Sequence, residues 1–411
     1  MPEIRIDADF VERCVMELAA FGAAGETGVS RTVYSPEWIG ASRCFSSWCS
    51  EAGLAVHHDA VGNVWGRLEG SHGGKSIVSG SHIDSQINGG RYDGALGAIS
   101  AFIAIKALKE QFGQPRRTLE AVAFCEEESS RFPNANFWGS RAITGRIKRE
   151  DLETVRAFSG ETIREAMYEI GLDPSRVADA RRDDIDTFIE LHIEQGPILE
   201  QADFPVAIVD AITGIRHYHV TIRGTANHAG AFPMDIRKDA MAGFAEIASG
   251  VVDTAHRMGR PAVTTIGRAL ISPNFPGIIP SKVEFTVDAR HPDPSERGKL
   301  YKIHESLMQE VASRRGLDLE WRVMIDHEPA LSDPDLVDMF RMTAAEQDVP
   351  VLTMASGAAH DAQQMASIAK MAMIFVRSKD GRSHTPEEFS SVSDMVSGIK
   401  VLAAGLHRLA Y

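Results

Sequence analysis

Apolar positions along the first part of the chain follow two rhythms. Short unbroken runs, the pattern of strands buried on both faces, predict strands at 76–79, 118–124 and 187–193. A longer apolar stretch predicts a helix over 95–111. Strands alternating with helices read as a mostly parallel α/β sheet. Near residue 213 the texture changes. From there the pattern predicts a strand at 218–223, a helix at 238–258, strands at 262–271 and 282–290, a helix at 294–315 and a strand at 317–325. This βαββαβ order fills a small domain of its own. Near Pro329 the first texture returns, with a helix at 335–347, a strand at 371–376 and a closing helix at 392–409. The expectation is a larger α/β domain of residues 1–212 and 329–411, interrupted by an inserted domain of residues 213–328.

Composition narrows the function classes. At 411 residues two domains are expected rather than one, and 44% hydrophobic with 24% charged residues is the make-up of a soluble globular chain. A net charge of −14 argues against a nucleic-acid partner, which would require a basic face. The four cysteines contain no CxxC pair, so neither a disulfide framework nor a thiolate zinc site is expected, and the reducing cytoplasm fits best. No apolar run approaches the ~20 residues of a membrane span, and the acidic, amphipathic N-terminal stretch has no basic region or cleavage site of a signal peptide.

Ligand-type residues collect where such a sheet builds sites, beyond the carboxyl ends of its strands. His82 and Asp84 follow the first strand, Glu126, Glu127 and Glu128 the second; His192 ends the third, and His384 follows strand 371–376. Glycines at 89, 90, 94 and 97 allow the intervening loop to turn so that Asp93 returns toward His82. Each signal has a plain alternative: a histidine at a strand end is ordinarily a hydrogen-bonded structural residue, and a run of three glutamates a solvated helix start. Together they point to a metal site, because three successive acids after an apolar strand are costly to bury without a cation.

The blocks "GSHIDSQINGGRYDGALG", "FCEEESSRF", "ELHIEQGP", "GTANHAGAFPMDIRKDA", "SGAAHDAQ" and "RSHTPEE" together resemble the di-metal amidohydrolases that include N-carbamoyl-L-amino-acid hydrolases, β-ureidopropionases and allantoate amidohydrolases, relatives of the M20 aminopeptidases. The resemblance implies a di-metal aminopeptidase-like catalytic domain with a ferredoxin-like inserted lid and dimerisation domain. It implies two divalent ions per subunit, zinc first, with manganese, cobalt or nickel as alternatives, held by His82, Asp93, Glu128, His192 and His384. Asp93 bridges the two ions; which remaining ligand serves which ion stays open. By the same resemblance Asp84 orients His82, Glu127 is the general base, and His360 is a further active-site histidine. His228 stabilises the oxyanion from the partner subunit of a homodimer. Gln195, Arg290 and Gly357 line the substrate pocket, with Arg290 holding a substrate carboxylate.

The implied reaction is metal-dependent hydrolysis of a linear amide or ureido C–N bond in a small anionic N-carbamoyl or related N-acyl amino acid. Allantoate hydrolysis, an M20 dipeptidase or aminoacylase activity, and a non-catalytic binding role are the alternatives. The chain departs from the family's pattern at Gly277, where an asparagine is usual, and at Ile215, Ser129 and Ala359. These departures favour a bulkier or more apolar substrate than allantoate.

Overall fold

The computed structural model describes residues 2–411 and divides into two compact units. The first takes the chain up to Asp210 together with Ser332–Met354 and His360–Tyr411; the second takes Ala211–Leu331 and Ala355–Ala359.

The first unit is built on a mixed sheet. Its centre is four parallel strands in the order Leu119–Phe124, Ser76–His82, Ile185–Ile193, Lys370–Val376. Antiparallel strands flank them: Val64–Leu68 and Ala55–His58 beyond Leu119–Phe124, and Val206–Ile212 beyond Lys370–Val376. Ser76–His82 and Leu119–Phe124 are buried at every residue, as a strand covered on both faces must be. The helix Ala95–Phe112 is buried on most of its circumference, which accounts for its continuous rather than striped apolar sequence. Because the four central strands are parallel, their carboxyl ends share one edge. His82, Cys125 to Glu128, His192 and the segment after Val376 therefore emerge together.

The second unit is an antiparallel sheet with two helices. Lys282–His291 and Asp318–His327 pair on either side of Gly214–Arg223, and Val263–Thr265 and Ala269–Ser272 both pair with Lys282–His291. Helices Ala240–Met258 and Pro294–Arg315 are started by Asp239 and Asp293, whose carboxylates accept the first free amides of each. Their apolar faces meet Tyr218, Val220, Ile222, Val283, Phe285 and Val287 from alternate positions of the two central strands. Burying such a side chain is worth about 1.5–3 kcal/mol. Alternation leaves Ile215, His217, Asp288 and Arg290 on the opposite face, where Arg290 pairs in register with Ile215 and Asp288 with His217.

The structure corrects two expectations. The strand expected at 262–271 is two short strands, Val263–Thr265 and Ala269–Ser272, with a break around Gly267. The strand expected to stop at Ser79 runs on to His82. Gly80 and Ser81 break the apolar run but not the pairing, and a Cβ at Gly80 would lie 2.0 Å from the Val122 carbonyl oxygen. The three glutamates after Phe124 do not begin a helix; they lie in a bent loop. Val206–Ile212 and Val351–Ser356 are strands that the apolar pattern did not single out.

Candidate metal centre

Asp93 is the hub of the site. One carboxylate oxygen lies 3.5 Å from His82 Nε2 and 3.2 Å from His192 Nε2, and the other lies 3.5 Å from His384 Nε2. His384 Nε2 is also 3.4 Å from Glu128, so the two oxygens of Asp93 face two ligand sets. Glu127 stands 3.8 Å from His82 Nε2.

The histidines are oriented by their other nitrogens. Nδ1 of His82 faces the Asp84 carbonyl at 3.1 Å, and Nδ1 of His192 faces the Ile193 carbonyl at 2.9 Å. A carbonyl can only accept, so each Nδ1 carries a proton and Nε2 is the nitrogen turned toward Asp93. At His192, Nε2 also accepts the Gly94 amide at 3.0 Å. Gly94 itself has φ 61°, and a Cβ there would lie 2.2 Å from the His82 ring, so only glycine turns the chain between Asp93 and the helix.

Asp84 accepts the amides of Glu127 and Glu128, each at 3.1 Å, while facing His82 Nδ1 at 3.3 Å. One buried carboxylate thus sets a histidine and the glutamate loop. Burial pushes the Glu127 and Glu126 carboxyls well up, with Glu128 adding to the first and Asp84 to the second; burial and the charge of Asp93 push Glu128 up to about 8. Burial opposes the charge of Asp93 too, but His192 and His82 hold its carboxyl well below the usual range. Three imidazole nitrogens and crowded acids around one carboxylate form a donor set that fits divalent cations. With no thiolate among them, it suits zinc, manganese, cobalt or nickel.

His360 is buried just before helix Asp361–Met365 but makes no side-chain cap there. Its ring packs edge-on against His192, centroids 4.6 Å apart, and burial together with His192 keeps it neutral. Gln195 donates to Asp93 at 2.8 Å from a left-handed backbone, φ 56°.

In the second unit, His228 is exposed, and its Nδ1 accepts the amides of Gly230 at 3.1 Å and Ala231 at 3.0 Å. The proton therefore sits on Nε2, making this ring a hydrogen-bond donor. Arg290 is held side-on by Asp288 at 2.9 and 2.8 Å and donates to the Gly357 carbonyl at 2.8 Å. His217 grips the same Asp288 at 2.9 Å. Two of the guanidinium's five N–H groups, one on each terminal nitrogen, are left for an anion. A Cβ at Gly277 would meet nothing within 4 Å, so the side chain usual in the family has room here.

Sequence reasoning passed over several residues that hold these groups. Glu388, buried, accepts the amides of Tyr92 and Asp93 at 2.8 and 3.0 Å. Ser383 bridges Glu388 to Asp93, and Gln86 donates to the Glu128 carboxylate at 2.9 Å. Only the position of Ser383 and Glu388 within the "RSHTPEE" block and of Gln86 within the first block hinted at them.

With this geometry in hand, the comparisons with known proteins are specific. Residues 53–408 match the model of peptidase family M20/M25/M40. The chain belongs to that family. It is 38% identical to an allantoate amidohydrolase of Escherichia coli (strain K12), over 98% of this chain and 98% of the relative. It is 37% identical to an N-carbamoyl-L-amino acid amidohydrolase of Geobacillus stearothermophilus, over 96% and 97%. A crystal structure of an amidase of the hydantoinase/carbamoylase family from Burkholderia multivorans superposes with a TM-score of 0.93 at 31% identity, covering 100% of this chain and 99% of that one. The family assignment and the mixed α/β, M20 peptidase-like fold agree with what the sequence blocks imply. No helix among the described residues is long and apolar enough to cross a membrane.

Proposed function

We propose that this M20-family chain is a metal-dependent amidohydrolase that cleaves the linear amide or ureido C–N bond of an N-carbamoyl or related N-acyl amino acid. The observation that carries the reading is Asp93, whose two oxygens face His82 with His192 and His384 with Glu128, beside Glu127. His82, Asp93 and His192 hold one divalent ion; Asp93, Glu128 and His384 hold the other. Zinc is the proposed metal, with manganese, cobalt and nickel as alternatives. When bound, the pair supplies Lewis acidity that polarises the substrate carbonyl and makes water more acidic.

The chain's own groups do the rest. Glu127 takes the proton of the attacking water at its carboxylate and delivers it to the leaving nitrogen, a role suited to a carboxyl whose affinity for protons is raised. His228 donates its Nε2–H to the developing oxyanion from the second subunit of a homodimer. Arg290, aligned by Asp288 and Gly357, takes the substrate carboxylate on its two unused N–H groups. Asp84 orients His82, Gln195 steadies Asp93, and neutral His360 borders the reacting group. The inserted domain acts as lid and dimerisation element, and the cytoplasm is the proposed compartment.

The deciding experiment strips the protein with a chelator, reloads it with Zn²⁺, Mn²⁺ or Co²⁺, and measures ammonia release from N-carbamoyl amino acids and allantoate, and amino-acid release from N-acetyl and N-formyl amino acids. Turnover of N-carbamoyl substrates only after reloading is expected; no turnover of any of these substrates after reloading, or full turnover in stripped protein, overturns the reading. Mixing inactive His228→Ala subunits with inactive Glu127→Gln subunits tests the shared site. Partial recovery of activity is expected, and none in demonstrably mixed dimers removes it.

A further inference from the structure

Residues 27–31 precede the stretch matched by the family, which begins at residue 53, yet each except Gly28 is bonded to a loop that carries candidate metal ligands. Arg31 is fully buried, and its guanidinium is held by main-chain carbonyls: Nε donates to Ile83 at 2.5 Å, and Nη1 donates to Leu18 at 2.8 Å and Phe21 at 3.0 Å. Ile83 is the residue between His82 and Asp84. Leu18 and Phe21 lie at the C-terminal end of helix Ala8–Ala19, where unpaired carbonyls and the helix dipole favour a cation.

The neighbouring residues continue the seam. The Arg31 amide donates to Ser85 Oγ at 2.9 Å, and the Ser85 amide returns a bond to the Arg31 carbonyl at 3.0 Å. Ser30 Oγ accepts the Asn88 amide at 2.7 Å, and Val29 and Gly89 exchange both backbone bonds at 3.0 and 2.8 Å. Thr27 Oγ1 reaches across to the Pro386 carbonyl at 2.5 Å, two residues after His384. Four of these five consecutive residues are thus bonded to the loop running from His82 to Asp93 or to the loop bearing His384.

A buried guanidinium is expensive unless its N–H groups find partners, and here the bonds of Nε and Nη1 go to backbone carbonyls rather than to an adjacent carboxylate. Asp84 is the acid that acts most on its charge. We propose that Thr27–Arg31 is a positioning strap for the two metal-ligand loops, anchored by Arg31 at Ile83 and by Thr27 at Pro386. This rests on the reading of His82, Asp93, Glu128, His192 and His384 as ligands. Arg31 acts through Ile83 on the direction of His82; Thr27 acts through Pro386 on His384.

The test is metal affinity, measured by titrating stripped full-length protein with Zn²⁺ against a chelating dye, beside the melting temperature of the metal-free protein. Arg31→Gln should weaken Zn²⁺ binding about 10–100-fold, the range for outer partners of metal ligands. Arg31→Lys, which keeps charge but not the planar fork, should recover part of the loss. Thr27→Val, at the exposed rim, should weaken one of the two binding steps and leave the melting temperature near that of wild type. Zn²⁺ affinity within twofold of wild type in Thr27→Val and in folded Arg31→Gln overturns the strap, even if melting temperatures fall. Should Arg31→Gln not fold, Thr27→Val decides alone. If the wild-type protein itself takes up no Zn²⁺, Mn²⁺ or Co²⁺, the ligand reading fails instead. Hydrogen exchange then judges the strap: unchanged protection at the Asn88 and Gly89 amides in Thr27→Val and Arg31→Lys overturns it, and faster exchange there supports it.

Discussion

Asp93 in the first unit and Arg290 in the second are both charged and both held by several hydrogen bonds, but they are left in different states. Asp93 is 6% exposed and surrounded by three imidazole nitrogens, the Gln195 amide and the Ser383 hydroxyl, so every direction around its carboxylate is taken. Arg290 is 30% exposed, and three bonds to Asp288 and Gly357 leave two N–H groups open. The first arrangement suits cations, because ions inserted among fixed donors need little rearrangement. The second leaves room for an anion. Rigidity concentrates at strand ends and openness on a sheet face.

The largest effect that sharpens this contrast belongs to Asp93. Asp93→Ala should abolish activity and reduce bound metal, measured by elemental analysis, more than replacing any single histidine does, since it alone serves both ligand sets. A histidine variant that is equally damaging would break the idea of a hub. Next comes Glu127→Gln, which keeps shape but cannot take a proton; kcat should fall by about 10²–10⁴ with both metals retained. Loss of metal in that variant would mean that Glu127 is a ligand.

Arg290→Ala should act on KM, raising it about 10–100-fold with little change in kcat, as expected when charged hydrogen bonds worth about 1.5–3 kcal/mol are removed from bound substrate. A collapse of kcat would place Arg290 with the rigid group instead.

The smallest effect concerns stability of the second unit. His304, buried in helix Pro294–Arg315, is kept neutral by burial, its pKa lowered to about 4 from 6.5. The folded value lies below the unfolded one, so stability is full above about pH 6.5, declines as pH falls toward 4 and levels off below it. The loss is at most about 3 kcal/mol. In thermal melts across that window, metal-free wild type should lose stability relative to metal-free His304→Leu as pH falls; parallel curves would remove His304 as the cause.

The candidate metal ligands could be picked out because they follow or end strands whose burial on both faces writes an unbroken apolar run, as at Leu119–Phe124 and Ile185–Ile193. The pairing of ligands was not, since it depends on how Asp93 turns its two oxygens, and nothing along the chain encodes that. Glu387 and Glu388 are adjacent and identical in type, yet Glu387 is exposed while Glu388 is buried under Tyr92 and Asp93. Arg31 was invisible for the same reason: its partners, Leu18, Phe21 and Ile83, define it, and two of them come from a helix end. Val206–Ile212 escaped notice because its apolar run lies against the texture change near residue 213, where one rhythm fades into another.

The spread of ligands from His82 to His384 also has a consequence for biosynthesis. On the ribosome, the candidate set His82, Asp93 and His192 emerges before His384, and the set that includes His384 also needs the parallel strand Lys370–Val376 docked beside Ile185–Ile193. The proposed two-ion reading therefore predicts that the site of His82, Asp93 and His192 forms earlier in synthesis than the site of His384.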